Sequence, residues 1–123
     1  MAVRLDHIIV PAHDKKTSAE FLAGILGLEV SPQYGPFLPL VVGNEVTLDF
    51  MDSDDVHWQH CAFLVEEAEF DEIFARIKAS GATFYAHPDR SGIGEINHQH
   101  GGRGVYFDDP AGHAMEVLTA PYS

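Results

Sequence analysis

The sequence is poor in cysteine, in basic residues and in long apolar runs. Cys61 is its one cysteine, so the chain cannot form an internal disulfide, which suits a reducing compartment. Seven Lys and Arg stand against nineteen Asp and Glu, a formal net charge of −12, and such a surface repels nucleic acid and anionic membranes. No apolar run approaches the roughly 20 residues of a bilayer span, and the first residues lack the apolar segment of a signal peptide. These absences predict a cytoplasmic protein that acts on a small molecule or on a protein partner.

The same order of predicted strands and helices occurs in both halves of the sequence. The length of 123 residues and the 46% apolar content suit a single globular domain. Each half reads as a strand, an amphipathic helix and three further strands, by the period-2 and period-3.6 spacing of apolar residues. We therefore predict an α+β fold of two βαβββ modules, about residues 1–54 and 55–123. Two helices cannot cover both faces of eight strands, so one sheet face must be covered by a partner, by a ligand, or by curling around a pocket. The predicted strands are 5–10, 28–30, 38–42 and 46–51 in the first module and 58–65, 83–86, 104–107 and 115–119 in the second; the first helix is predicted at about 17–26, and the second ends at 80–81.

Each module begins with a strand that carries a histidine, His7 or His60, and ends with one that carries a carboxylate, Asp49 or Glu116. Alternate residues share a strand face, so a pseudo-twofold axis would bring these four together. Two imidazoles and one carboxylate form a facial set that leaves coordination positions open, and a buried carboxylate is costly unless it is paired or bound to metal. A single strand histidine is more often a hydrogen-bonded core residue, but four polar residues at equivalent places favour a divalent-metal site. His113 faces away from Glu116, which predicts a surface position.

The longest irregular segment, residues 91–103, is rich in glycine. It interrupts two strands of the second module, so we expect it to fold over the cleft as a lid; a mobile polar loop is the alternative. Strand residues near the predicted cleft add aromatic surface. The predicted substrate contacts are Trp58, Asn97, His98, His100, Arg103 and Tyr106.

Three stretches carry a resemblance to a known family: 5–8 (Leu-Asp-His-Ile), 60–63 (His-Cys-Ala-Phe) and 102–116, which contains the pattern F-x-D-P-x-G-x-x-x-E ending at Glu116. With these stretches the chain resembles the vicinal oxygen chelate superfamily. That superfamily includes glyoxalase I, extradiol dioxygenases, fosfomycin-resistance thiol transferases and bleomycin-resistance proteins. The resemblance covers nearly the whole chain. It implies an α+β fold in which two βαβββ modules, related by pseudo-twofold symmetry, form an open, curved mixed sheet around a metal cleft.

The resemblance implies a divalent ion (Fe, Mn, Ni or Zn) held by His7, His60 and Glu116. The glyoxalase-like pattern adds a glutamate where this chain has Asp49, one methylene shorter, as a conditional fourth ligand. Short members of the superfamily are expected to form homodimers, with the cleft built from one chain or from two. The expected function is a metal-dependent lyase, isomerase or dioxygenase that chelates a small oxygen-bearing substrate, with Glu116 or Asp49 exchanging between ligand and base. The alternative is a non-catalytic protein that binds a drug or metabolite, as bleomycin-resistance members do.

Overall fold

The computed structural model describes residues 3–121. The chain divides into two compact units between His57 and Trp58, and each unit contains one α-helix and one sheet. Among the described residues, neither helix is long and apolar enough to cross a membrane. The elements are β1 (His7–Ala12), α1 (Lys15–Leu26), β2 (Phe37–Val41), β3 (Thr47–Asp52), β4 (His60–Leu64), α2 (Glu67–Ser80), β5 (Phe84–Tyr85), a short 3-10 helix (Gln99–Gly101), β6 (Gly104–Asp108) and β7 (Ala114–Leu118).

The first unit is a three-stranded sheet in the order β1-β3-β2, with β1 parallel and β2 antiparallel to β3. Side chains alternate between the two faces of each strand. One face is apolar and buried, contributing Val10, Leu48 and Phe50 to a core that α1 contacts. The opposite face carries His7 and Asp49, so the same alternation that builds the core also sets the candidate ligands on the other side of the sheet.

Helix α1 has defined signals at both ends. Asp14 precedes it in an extended conformation, and its carboxylate accepts hydrogen bonds from the backbone N–H groups of Lys16 and Thr17 at 3.0 and 3.2 Å. This is the N-cap arrangement that satisfies amide groups lacking a partner within the helix. Gly27 ends the helix at φ 75°, a left-handed conformation that a side chain would disfavour. These two residues fix where the chain leaves β1 and where it turns back toward β2.

The second unit repeats the topology with one more strand, in the order β4-β7-β6-β5. β4 runs parallel to β7, and β6 runs antiparallel to both β7 and β5. The ring of Phe74 on α2 packs edge-on against Phe84 of β5 at a centroid distance of 5.3 Å, and Phe70, Ile73 and Ile77 are buried. β7 is one of the two interior strands of this sheet, and Met115 and Val117 on it are fully buried.

The α+β class and the mixed character of both sheets are confirmed, but one predicted strand is wrong. Residues 28–30 form no strand, because the N–H of Leu28 bonds back to the carbonyl of Ala23 at 2.8 Å as part of the turn that ends α1. The chain touches the sheet only afterwards, where the N–H of Ser31 donates to the carbonyl of Pro39 at 2.9 Å. The corresponding strand of the second unit, β5, is two residues long.

The N-cap of α1 gives a test of this local architecture. We expect Asp14→Ala to lower the free energy of unfolding by about 1 kcal/mol, because two amide groups lose their acceptor. Asp14→Asn retains an acceptor oxygen and is the matched control. Urea denaturation of the three proteins measures the effect, and equal midpoints would show that the cap contributes nothing.

Candidate metal centre

The second unit brings His60 and Glu116 together. The two residues lie on the parallel neighbours β4 and β7, and Ala62 of β4 is directly opposite Glu116. His60 Nε2 is 3.0 Å from Glu116 Oε1, and His60 Nδ1 is 3.1 Å from the carbonyl oxygen of Ala114. Because a carbonyl can only accept, Nδ1 carries the proton. In the neutral ring Nε2 is then an acceptor, and it faces a carboxylate oxygen that is also an acceptor.

Two acceptors at this distance need a hydrogen atom or a cation between them. A proton on either group can fill this position, and so can a metal ion. Two adjacent ligands of an octahedral ion, each about 2.1 Å from the metal, are about 3.0 Å apart, which matches the separation of the two atoms. The side chain of Glu116 is 10% exposed, and a carboxylate removed from water to that degree is costly without a positive partner. The pair therefore fits two positions of a divalent-metal site.

Aromatic rings fix the plane of the His60 imidazole. Tyr106 stacks on it at a centroid distance of 5.6 Å, with Trp58 nearly parallel at 6.5 Å. Tyr85 continues the stack beyond Tyr106 at 5.9 Å and is held in turn by a hydrogen bond from its hydroxyl to Asp108 at 2.9 Å. Burial, together with this bond, raises the pKa of Tyr85 to about 12, so it stays a neutral donor. The stack orients His60 independently of any bound ion.

A cavity of about 40 Å³ lies beside the Glu116 carboxylate. Four of the six predicted substrate residues line it: Asn97, His100, Arg103 and Tyr106. Trp58 is 67% exposed and stacks on His60, whereas His98 is exposed where the chain enters the 3-10 turn. Three further residues that the sequence did not single out line the cavity: Gln99, Leu118 and Ala120. Leu118 shares a face of β7 with Glu116, so strand alternation could have placed it in the cavity.

Arg103 anchors the end of the glycine-rich segment to α2. Its guanidinium contacts the carboxylates of Glu67 and Asp71, each at 2.8 Å, and lies 4.5 Å above the ring of Phe70. Its backbone N–H donates to the hydroxyl of Thr119 at 2.9 Å. The carboxylates therefore engage the charge of Arg103, although its side chain also lines the cavity.

Asn97, in the middle of the same segment, is also held in place. The backbone of Asn97 exchanges two hydrogen bonds with Gly104, at 2.8 and 3.0 Å, and its side-chain amide donates to the carbonyl of Ala86 at 2.7 Å. A Cβ added to Gly104 would meet the Asn97 side chain at 3.0 Å, so the two residues pack closely. The residues on both sides of the 3-10 turn Gln99–Gly101 are therefore held by hydrogen bonds or ion pairs.

The first unit holds the other two candidate ligands in the same register. β1 and β3 are parallel, and Ile9, two residues after His7, pairs with Asp49; in the second unit Ala62, two residues after His60, pairs with Glu116. His7 Nδ1 lies 2.7 Å from Asp6 Oδ2. This hydrogen bond raises the pKa of His7, and the negative charges of Asp6 and Asp49 act in the same direction.

Each unit thus presents one histidine and one carboxylate on neighbouring parallel strands. Within the described part of the chain, no group of three or more His, Cys, Asp or Glu side chains is assembled as a ready metal site. The predicted ligands therefore occur as two half-sites. His60 and Glu116 form the half in which the two side chains are in direct contact.

His113 is fully buried, so the predicted surface position is wrong. Its Nδ1 accepts the N–H of Gln59 at 3.0 Å, and its own N–H donates to Asp109 at 2.8 Å. His113 does face away from Glu116, as strand alternation predicts. The predicted surface position is wrong because that face of β7 is the core face, where Met115 and Val117 are fully buried.

Asp109 holds the turn that leads into β7. Its Oδ1 accepts the N–H groups of Ala111 and His113, at 3.0 and 2.8 Å. Its Oδ2 is buried and has no hydrogen-bond partner among residues 3–121. Burial raises the pKa of Asp109, against the opposing effect of His113 and the backbone N–H groups. The carboxylate is therefore held where its charged form is poorly solvated.

Comparisons with known proteins identify the family of the chain. The family model for the Glyoxalase/Bleomycin resistance protein/Dioxygenase superfamily matches residues 4–117. The chain therefore belongs to this superfamily, and the predicted family is confirmed.

Particular relatives include two solved structures described as oxidases. "Oxidase ChaP-H2" is 59% identical, with 100% of this chain and 98% of that chain covered and a TM-score of 0.97. "Oxidase ChaP-H1" is 52% identical, with 99% of each chain covered and a TM-score of 0.96. "Metallothiol transferase FosB" of Shouchella clausii (strain KSM-K16) is 36% identical over 62 residues, which are 50% of this chain and only 38% of that protein.

The buried Asp109 carboxylate predicts a specific dependence of stability on pH. Because its pKa in the folded protein lies above the ordinary 3.8, the folded state binds more protons than the unfolded chain between these two values. The free energy of unfolding contributed by Asp109 is therefore higher below this window and falls as pH rises through it. Asp109→Asn keeps one acceptor oxygen and stays neutral, so we expect its stability relative to the wild type to improve as pH rises from about 4.

Urea denaturation of both proteins in steps from acidic to neutral pH measures this difference. Asp54→Asn, at an exposed position, is the matched control for loss of one negative charge. A difference between Asp109→Asn and the wild type that does not change with pH would contradict the assignment.

Proposed function

We propose that the protein is a metal-dependent enzyme in which His7, His60 and Glu116 hold one divalent ion. The observation that supports this most directly is the contact between His60 Nε2 and the buried Glu116 carboxylate at 3.0 Å. The common register of the two half-sites supports His7 as the third ligand. Membership of the superfamily adds support for this set. The ion belongs to the group Fe, Mn, Ni and Zn.

The proposed reaction is an oxidation, with O₂ as the electron acceptor, of a small molecule that presents two neighbouring oxygen atoms. The likeness to two proteins described as oxidases, over nearly the full length of each, favours oxidation over glyoxalase-type isomerisation. This reaction class in turn favours iron or manganese among the four ions. When bound, the ion supplies a Lewis acid with open coordination positions for the substrate oxygens.

The chain's own residues would place the substrate and manage its protons. Asn97, His100 and Tyr106 line the cavity beside Glu116, so a substrate bound to the ion would meet donors and acceptors there. The stacked face of Tyr106 keeps His60 in place as the substrate binds. Asp49 is proposed as the proton acceptor of the first half-site. Its side chain is one methylene shorter than that of Glu116, and its charge acts on His7.

A homodimer is the proposed assembly. The sheet face of the first unit that carries His7 is incompletely covered, with Ile9 41% and Val41 44% exposed. An apolar face of this kind favours burial against another surface. Whether one chain or two complete the metal site is settled by mixing His7→Ala with Glu116→Gln subunits and measuring whether metal binding returns.

The single tryptophan gives a direct test of metal binding at His60. Trp58 stacks on the His60 ring, so an ion bound there should change its fluorescence. We expect Fe²⁺, Mn²⁺ or Co²⁺ to alter the emission of the wild type at a stoichiometry of one ion per proposed site. His60→Ala should lose this response, and His7→Ala should weaken binding strongly while Trp58 remains in place.

His57→Ala is the matched control, since His57 is an exposed histidine outside the proposed ligand set. Metal analysis of the protein purified without chelator gives the second measurement. Absence of a divalent ion from the wild type, together with ligand binding that survives added chelator, would favour the non-catalytic binding protein instead.

Two carboxylate variants separate a ligand from a nearby base. We expect Glu116→Gln to lose more than about 100-fold in metal affinity, since loss of a ligand exceeds the 10–100-fold typical of residues outside the ligand set. Asp49→Asn should remain within that range, because Asp49 acts from outside it. Calorimetric titration with Co²⁺ measures both affinities. Equal losses in the two variants would make Asp49 a fourth ligand.

A further inference from the structure

We propose that Asp6 is the positioning residue that orients His7 for metal binding. The inference rests on the proposed function and adds a residue to it. Asp6 Oδ2 and His7 Nδ1 are 2.7 Å apart, the short end of the range for a charge-assisted hydrogen bond. A carboxylate can only accept in this contact, so Nδ1 carries the hydrogen and Nε2 is left as the lone pair for an ion.

The backbone places Asp6 where it can do this. Neighbouring residues of a regular strand project to opposite faces, which would keep the two side chains apart. β1 begins at His7, and Asp6 precedes it outside the regular strand. The carbonyl of Asp6 accepts the N–H of Thr47 at 2.9 Å, and Thr47 is also the residue opposite His7 in the register. Thr47, the first residue of β3, therefore holds the main chain at Asp6, while the side chain of Asp6 reaches His7.

The two candidate ligand histidines differ in what orients them. His60 donates to a main-chain carbonyl and lies in an aromatic stack, so its plane is fixed by the sheet and by packing. The side chain of His7 is 57% exposed, so packing restrains it less and the Asp6 hydrogen bond has a larger share in its orientation. A carboxylate partner also makes the imidazole a stronger donor to metal than a carbonyl partner does.

Co²⁺ titration of the full-length protein tests the role without any substrate. We expect Asp6→Ala to weaken Co²⁺ binding about tenfold, at the lower end of the effect of such partners because the contact is open to water. Asp6→Asn should weaken it less, since an amide oxygen can still accept from Nδ1. Asp55→Ala is the matched control. It removes the same charge from another exposed pair, in which Asp55 lies 3.2 Å from His57, and should leave affinity unchanged.

The outcomes separate this inference from the function on which it rests. Wild-type affinity in Asp6→Ala, with loss of binding in His7→Ala, would overturn the role of Asp6 and leave the metal site standing. Equal losses in Asp6→Ala and Asp55→Ala would also overturn it, because they would reflect net charge alone. Undiminished binding in His7→Ala would overturn the proposed metal site and the role of Asp6 with it. Asp6→Asn keeps the comparison valid if Asp6→Ala is poorly folded, which thermal unfolding reveals.

Discussion

The arrangement of the second unit depends on the buried carboxylate of Glu116 facing the Nε2 atom of His60. An acceptor that faces another acceptor in a partly dry site is unstable without a hydrogen atom or a cation between them. The surrounding structure nevertheless stabilises this arrangement. β7 is an interior strand of its sheet, the carbonyl of Ala114 sets the tautomer of His60, and Tyr106 fixes the ring plane. Because these groups are already oriented, binding an ion would cost little further orientational entropy.

The two units orient their histidines by different interactions. They share topology and register, so that each places a carboxylate opposite the second residue after a histidine. The second unit adds burial, a main-chain hydrogen bond and aromatic stacking. In the first unit His7 is more exposed and its partner is the charge of Asp6. His60 in the second unit is thus oriented mainly by packing, and His7 in the first unit mainly by electrostatics. Electrostatic interactions are weaker in water, but they tolerate small movements of the groups involved.

The features predictable from the sequence were those that depend on periodicity. Two-residue alternation set the faces of His7, His60, Asp49 and Glu116, and helical spacing identified α1 and α2. The features that were missed depend on the backbone or on tertiary context. The carbonyl of Ala114 has no sequence signature, since every residue carries one. His113 was assigned to the surface because alternation gives a face without saying which face is covered. Residues 28–30 have strand-like composition, but hydrogen bonding at the end of α1 prevailed over it.

The glycine-rich segment is anchored on both sides of its 3-10 turn at Gln99–Gly101. Arg103 and Asn97 tie the flanking residues to α2, β6 and the residues around them. His100, in this turn, has a left-handed backbone with φ 58°, a conformation that β-branched residues rarely adopt. Its side chain lines the cavity beside Glu116. The proposed ligands thus stand on strands, whereas Asn97, Gln99 and His100 of the cavity wall stand on an irregular segment. Substitutions in such a segment disturb a sheet less than substitutions within its strands.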